Sequence, residues 1–232
     1  MKQSHLRALQ RVYLVLLFSF MYVPIAVMAV FSFNESKSRT IFTGFTFKWY
    51  KSLFHNEMIL SALGLSLVVA LIAAVVATVV GTAAAIGINA MGKRSQAVIN
   101  NISYMPVVNP EIITGVSLML LFVVFNRQVS AALSWLLQRE VDFQGFGLGT
   151  LLIAHITFCL PYVIMQVLPK LQQMDRALPE AAMDLGCTPV RAFFRVEVPE
   201  ILPGIITGMI MAFTLSLDDF IISYFTCGPG FQ

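Results

Sequence analysis

Five apolar runs of membrane-crossing length divide the chain: 12–33, 58–91, 102–125, 148–168 and 201–225. About 20 helical residues cross the ~30 Å of hydrocarbon in a bilayer, so each run predicts one transmembrane helix. The second run exceeds one crossing, and its helix must tilt or continue past the hydrocarbon. Between the fourth and fifth runs lies a polar stretch over about residues 170–200. The pattern predicts one all-α membrane domain over 1–232, with nothing left over for a soluble catalytic domain.

That polar stretch carries its own helix punctuation. Pro179 suits the first turn of a helix, Glu180 complements its N-terminal dipole, and Ala181 and Ala182 leave that face low. Gly186 fits a left-handed C-terminal stop, and Thr188-Pro189 starts a second short helix. An amphipathic helix lying on the membrane would explain the apolar face, but not the spacing of Gly186 and Pro199. At the other end of the chain, Lys2, Arg7 and Arg11 precede the first run as they would in a signal peptide, and Val27-x-Ala29 would suit a peptidase. A signal core is usually about 7–15 residues, whereas this run is long enough to span, so it reads as a retained anchor.

Composition adds weight to the membrane reading, since 58% of residues are hydrophobic and 12% charged. With the N-terminus inside, Lys2, Arg7, Arg11, Lys93, Arg94, Lys170, Arg176, Arg191 and Arg195 are cytoplasmic. Lys37, Arg39, Lys48, Lys51, Arg127 and Arg139 are then outside. The bias is small but in the expected direction, and it puts the Glu180 loop in the cytoplasm. The net charge of +3 is scattered over loops and implies no nucleic-acid partner.

Cys159, Cys187 and Cys227 fall in three different regions, and with His5, His55 and His155 they form no metal-ligand spacing. A phosphate-binding Gly-rich Lys loop, a nucleophile elbow and paired soluble carboxylates are all missing from the sequence. The chain reads as a non-enzyme without a cofactor, so energy for any transport must come from a partner or an ion gradient. Small residues form stripes along Ala70, Ala74, Ala77, Gly81 and Ala85, and along Gly204, Gly208, Ala212 and Ser216. Such stripes let helices approach closely in lipid.

The charges inside the apolar runs carry the chemistry. Glu111 sits ~13 Å into the third run, and Asp218 and Asp219 lie ~22 Å beyond Pro203 at helical rise. Each ionised carboxylate at that depth costs on the order of 3 kcal/mol. With no Lys or Arg in the five runs, the counter-charge is expected from a cation, protons or another subunit. Two plainer readings stand beside this one: Glu111 as a cap after Pro110 near the cytoplasmic interface, and the aspartates at the outer interface. Adjacent helical residues point about 100° apart, so one of Asp218 and Asp219 faces a pathway, and the sequence does not choose between them. Trp49 reads either as an aromatic-belt residue or as a face for an alkylammonium group. Pro161 predicts a kink in the fourth span, and His155 reads as a packing residue or a proton carrier.

The run from Glu180 resembles the EAA loop of binding-protein-dependent ABC importer permeases: Glu-Ala-Ala, three residues, Gly, nine residues, then aliphatic-x-aliphatic-Pro. Here Val196 and Val198 fill the aliphatic positions before Pro199. The segments Phe213 to Asp219, His155 to Tyr162 and Lys48 to Tyr50 extend the resemblance to the spermidine/putrescine permease subfamily, over nearly the whole chain. The resemblance implies a type I ABC importer permease bundle in a bacterial inner membrane, with a sixth span expected after Gln232. It implies a second permease subunit, two ATPases and a periplasmic binding protein as partners, and a polyamine as substrate. It further implies ATPase coupling through Glu180, Ala181, Ala182, Asp184, Gly186 and Pro199, and substrate passage along Trp49, Glu111, Ser216, Asp218 and Asp219. Glu111 departs from the Asp that is common after this proline. An importer of another small cation, a secondary cation transporter or channel, and a membrane scaffold without a pathway are the competing readings.

Overall fold

A computed structural model describes residues 2–38, 40–138, 145–175 and 177–228, except for the side chains of residues 2–6, 8 and 9. Arg39, Arg139 and Arg176, which entered the charge count, and residues 229–232 lie outside the described residues. In chain order the helices are α1 Lys2–Phe31, α2 Lys48–Phe54, α3 Glu57–Ala90, α4 Lys93–Val108 and α5 Glu111–Leu137. There follow α6 Leu148–Gln173, α7 Ala177–Asp184, α8 Pro189–Ala192, a π-helical turn Phe193–Glu197, α9 Val198–Asp218 and α10 Ile221–Thr226. Among the described residues the only extended pairing is one isolated bridge, Asn34 with Phe45. The fold is all-helical, and among the described residues five helical stretches are long and apolar enough to cross a membrane.

The chain separates into two compact units, Met1–Gly64 and Leu65–Gln232. In the first, α1 is an apolar helix whose side chains are exposed along the span, as suits contact with lipid or another subunit. Its end is fastened to a small knot centred on Asn34, which is 1% exposed. Asn34 Nδ2 donates to the carbonyls of Ser38 and Ile41, while its Oδ1 accepts from Thr43 N and Thr43 Oγ1. In the same segment Phe33, Phe45, Phe47 and Tyr50 pack against one another, with Phe33 stacked 5.1 Å from Phe45 and 5.2 Å from Tyr50 and Phe47 edge-on to Phe33 and Phe45. Asn56 caps the start of α3, its Oδ1 accepting from Met58 N and Ile59 N.

In the second unit α6 packs most extensively against α9, and α5 lies along α10. The small-residue stripes are the seams of this bundle: Ala70, Ala74, Ala77, Gly81 and Ala85 are buried on α3, and Gly204, Gly208, Ala212 and Ser216 on α9. A Cβ on Gly81 would stand 2.8 Å from Val163 Cγ1, and one on Gly208 3.3 Å from the same atom. Val163 of α6 is therefore received by glycines from two helices. Cys159 Sγ donates to Ala212 O at 3.4 Å, which adds a polar tie to the same α6–α9 seam.

Two runs read as single helices are divided. The run 102–125 is interrupted at Asn109 and Pro110, because proline lacks an amide proton and pushes the preceding residue out of the helical region. Asn109 accordingly has an extended ψ of 141°. The membrane-length helix therefore starts at Glu111 and extends to Leu137, so it includes Arg127. The run 201–225 is divided after Asp218, and the helix on its N-terminal side reaches back to Pro189. Pro161 is accommodated inside α6, where it is buried.

Candidate functional site

The polar loop after α6 folds as a helical hairpin. Asp175 Oδ1 accepts from Ala177 N at 3.0 Å and starts α7, which places Glu180 in the first turn. Gly186 stops the helix at φ 87°. Its amide donates to Met183 O at 2.9 Å and the Cys187 amide to Ala182 O at 3.1 Å, the paired bonds of a Schellman motif. Thr188 Oγ1 accepts from Arg191 N, and Pro189 opens the next helix. That helix passes through a π turn in which the Val198 amide reaches back to Phe193 O. The π turn ends at Glu197, two residues before Pro199, whose ring would clash with the carbonyl four residues back in a regular α-helix. Glu180, Ala181, Asp184, Gly186 and Pro199 are exposed and Ala182 is half-buried. Leu185 at 88%, Val190 at 67% and Phe194 at 63% exposure give the loop an apolar surface.

The bundle holds a second polar constellation, built where the fifth apolar run breaks. Asp219 and Phe220 separate α9 from α10. Asp219 Oδ1 accepts from Ile222 N at 3.2 Å and Oδ2 from Ser223 N at 3.3 Å, capping α10. From α6, His155 places Nδ1 2.7 Å from Ser216 Oγ and Nε2 2.9 Å from Ser223 Oγ. Its Nε2 is 3.7 Å from Asp219 Oδ2, and the His155 and Asp219 side chains are 2% and 1% exposed. These groups bring no fixed positive charge, so a counter-charge for Asp219 from outside the chain remains the expectation. The two backbone amides on Asp219, and the imidazole standing beside them, are polar partners that the absence of Lys and Arg from the apolar runs did not reveal.

The paired aspartates thus differ in environment. Asp219 is enclosed within the bundle, while Asp218, the last residue of α9, is exposed. Ser216 is 4% exposed with its hydroxyl on His155, so it lies in the helix seam and not on an open face. Glu111 is the first residue of α5 and exposed, not nine residues into a helix. Gly115 of α5 faces Ile221 and Phe225 of α10, and Phe122 of α5 is 6.3 Å from Phe146, whose carbonyl abuts Gly228. The two helices therefore run in the same direction. Glu111, ~6 Å before Gly115, and Asp218, three residues before Ile221, are both at the N-terminal end of this pair.

Trp49 belongs to the Met1–Gly64 unit. Its Nε1 donates to Asn34 O at 2.8 Å. Lys37 and Lys48 Nζ each lie 5.7 Å from the ring centroid, so the chain's own ammonium groups meet the indole. A cavity of about 450 Å³ beside it is lined by Phe31, Ser32, Ser36, Lys37, Ser38, Trp49, Tyr50 and Leu53. Asn34 and Ser223 are the organising residues that sequence reasoning missed. A lone Asn just past an apolar run is a weak turn signal, and Ser223 sits in an apolar stretch with nothing to mark it. Among the described residues no cluster of His, Cys, Asp and Glu could hold a metal ion.

Residues 77–232, which include the hairpin loop and the His155 constellation, match the model of the binding-protein-dependent transport system inner membrane component family. The chain belongs to this family. It is 40% identical over 222 residues to the putrescine transport system permease protein PotI of Escherichia coli strain K12, covering 94% of this chain and 74% of that protein. It is 30% identical to the spermidine/putrescine transport system permease protein PotC of the same strain, over 97% of this chain and 79% of that protein. PotC of Haemophilus influenzae is 31% identical, over 97% and 80% respectively. Among solved structures, a bacterial ABC transporter involved in import of the acidic polysaccharide alginate aligns with a TM-score of 0.73 at 19% identity. That alignment covers 98% of this chain and 79% of the neighbour, and it shows the shared permease fold. This member of the family is a multi-pass membrane protein whose relatives are transport permeases, not enzymes.

Proposed function

We propose that the chain is a permease subunit of an ATP-driven importer for putrescine or spermidine. The observation that carries the substrate class is its identity with permeases named for putrescine and for spermidine/putrescine, extending over nearly all its length. The arrangement of carboxylates supports it: Glu111 and Asp218 are both exposed at one end of the α5–α10 pair. A di- or trication crossing there would replace part of its hydration with carboxylate oxygens, whereas an anion would be repelled. In this reading Glu111 and Asp218 contact the substrate, Ser216 and Asp219 support them, and Trp49 guides cations at the outer side.

The assembly would consist of this chain, a second permease, two ATPases and a periplasmic binding protein, with the N-terminus in the cytoplasm. The loop over about 170–200 would seat in the ATPase through Glu180, Ala181, Ala182, Asp184 and Gly186, with Pro199 fixing its connection to α9. The exposed Leu185, Val190 and Phe194 supply an apolar surface that water alone would not favour, which supports docking. Because α8, the π turn and α9 are consecutive helical elements, movement of a docked loop would pass directly to Asp218. ATP-driven closure of the ATPases would then alternate the outward and inward openings.

The test is uptake of labelled putrescine and spermidine by the assembled complex in proteoliposomes, with unlabelled Na⁺, Fe³⁺ complexes and sulfate as competitors. The reading requires saturable polyamine uptake that the other ions fail to displace. Displacement by a different cation, without polyamine transport, would reassign the substrate class.

A further inference from the structure

The break between α9 and α10 falls within an apolar run, where backbone groups that leave a helix have no water to bond. Asp219 meets two amides on the α10 side. The remaining tie comes from α6. Ser223 Oγ donates its single proton to Asp219 O at 2.9 Å, so toward the imidazole its oxygen accepts. His155 Nε2 therefore carries the proton that it donates to Ser223. In the neutral ring, Nδ1 then accepts from Ser216 Oγ at 2.7 Å. Ser216 is in the last turn of α9 and Ser223 in the first turn of α10, so one imidazole joins both sides of the break to α6. One turn further along α6, the Cys159 bond to Ala212 holds the α9 side in the same register. Asp218 stands next to this fixed break with its side chain open.

We propose that His155 is a positioning residue for transport: by holding Ser216 and Ser223 across the Asp219–Phe220 break, it sets the place where the Asp218 carboxylate meets an ammonium group of the substrate. The proposal deepens the pathway assigned to Asp218 above and rests on it. Misplacing a carboxylate weakens its contact with a bound cation while leaving the ATPase cycle intact. The effect belongs in KM for the substrate, not in Vmax.

The experiment measures KM and Vmax for labelled putrescine in the reconstituted complex with His155→Asn, His155→Gln, Ser223→Ala, Asp218→Asn and the His155→Asn/Asp218→Asn pair. Asparagine reaches only the Nδ1 position, whereas glutamine places an amide N–H near Nε2 and can still donate to Ser223. His155→Asn and Ser223→Ala are expected to raise KM about tenfold, the scale of one lost hydrogen bond to an organising group, with Vmax within about twofold. His155→Gln is expected to stay within about threefold of the parent KM. In the Asp218→Asn background, His155→Asn should add almost nothing, because the group it positions is gone. Equal effects of the two amides, a loss confined to Vmax, or additive effects in the pair would overturn the clamp. Should the His155 variants fail to insert, Ser223→Ala decides alone, and an unchanged KM overturns the proposal. Asp218→Asn with a parental KM would overturn the pathway assignment itself. A raised KM in Asp218→Asn beside parental His155 and Ser223 variants would refute only the clamp.

Discussion

Replacing Gly186 isolates the contribution of one backbone angle to the hairpin loop. At φ 87°, a Cβ would meet nothing within 4 Å, so any penalty comes from the main chain and not from crowding. A non-glycine residue in the left-handed region costs about 1–2 kcal/mol, and a β-branched one more, toward ~3 kcal/mol. Relief of that strain would break the Gly186–Met183 and Cys187–Ala182 bonds that close α7. An eight-residue helix has little stability of its own, so a loss of ~2 kcal/mol reduces the folded loop about 30-fold relative to its unwound form. Asparagine tolerates this region better than alanine, and alanine better than valine. Gly186→Asn, Gly186→Ala and Gly186→Val should therefore lose ATPase copurification and binding-protein-stimulated ATP hydrolysis in that order, with the permease still inserted. Protease sensitivity of the loop should rise in the same order. Parental coupling in Gly186→Val, or valine and asparagine variants that behave alike, would refute the reasoning.

Glu111→Gln and Asp218→Asn should each depress polyamine uptake without loss of folded protein, since removing a charge lowers an insertion cost of a few kcal/mol; parental uptake in both would make these carboxylates structural. Gly204→Ala places a Cβ 2.8 Å from Gln166 O and from Lys170 Cγ, and the carbonyl cannot retreat without moving α6. It should lower stability in detergent by about 1–3 kcal/mol, read from thermal unfolding, while Gly87→Ala, with nothing within 4 Å, should cause no such loss. Asn34→Ala leaves the Ser38 and Ile41 carbonyls and the Thr43 amide without their side-chain partner, at about 1–3 kcal/mol for each group that stays buried. Limited proteolysis should then cut between Asn34 and Phe45 in the variant and spare the parent chain.

Local signals are legible where the cause lies within a few residues. Gly186 declares a left-handed stop because it follows a short amphipathic segment, and Thr188-Pro189 declares the next helix start. The glycine and alanine stripes declare close seams because their three- and four-residue spacings lie on one helix face. The division at Asn109-Pro110 was also written in the chain, but the uninterrupted hydropathy on either side obscured it and placed Glu111 too deep. The break at Asp219 was hidden for a related reason: Ile221 to Phe225 continues the apolar run, so composition carries on where the backbone turns. His155 and Ser216 are separated by 61 positions, and His155 and Ser223 by 68, so their contacts depend on the α6–α9 packing and leave no trace in sequence periodicity. The same long-range contacts enclose Asp219 and leave Asp218 exposed, a difference in surroundings that helical geometry alone does not give.

An importer driven by ATP through partner subunits is tested most directly by its energy dependence. Labelled putrescine uptake is followed in proteoliposomes that hold this permease, its partner permease, the ATPase and the binding protein. One set contains a catalytically dead ATPase with an intact proton gradient, and another a working ATPase with the gradient collapsed by an uncoupler. Uptake should stop with the dead ATPase and persist with the uncoupler while ATP lasts. Uptake that survives the dead ATPase and stops with the uncoupler would contradict the importer reading and make the chain a secondary transporter.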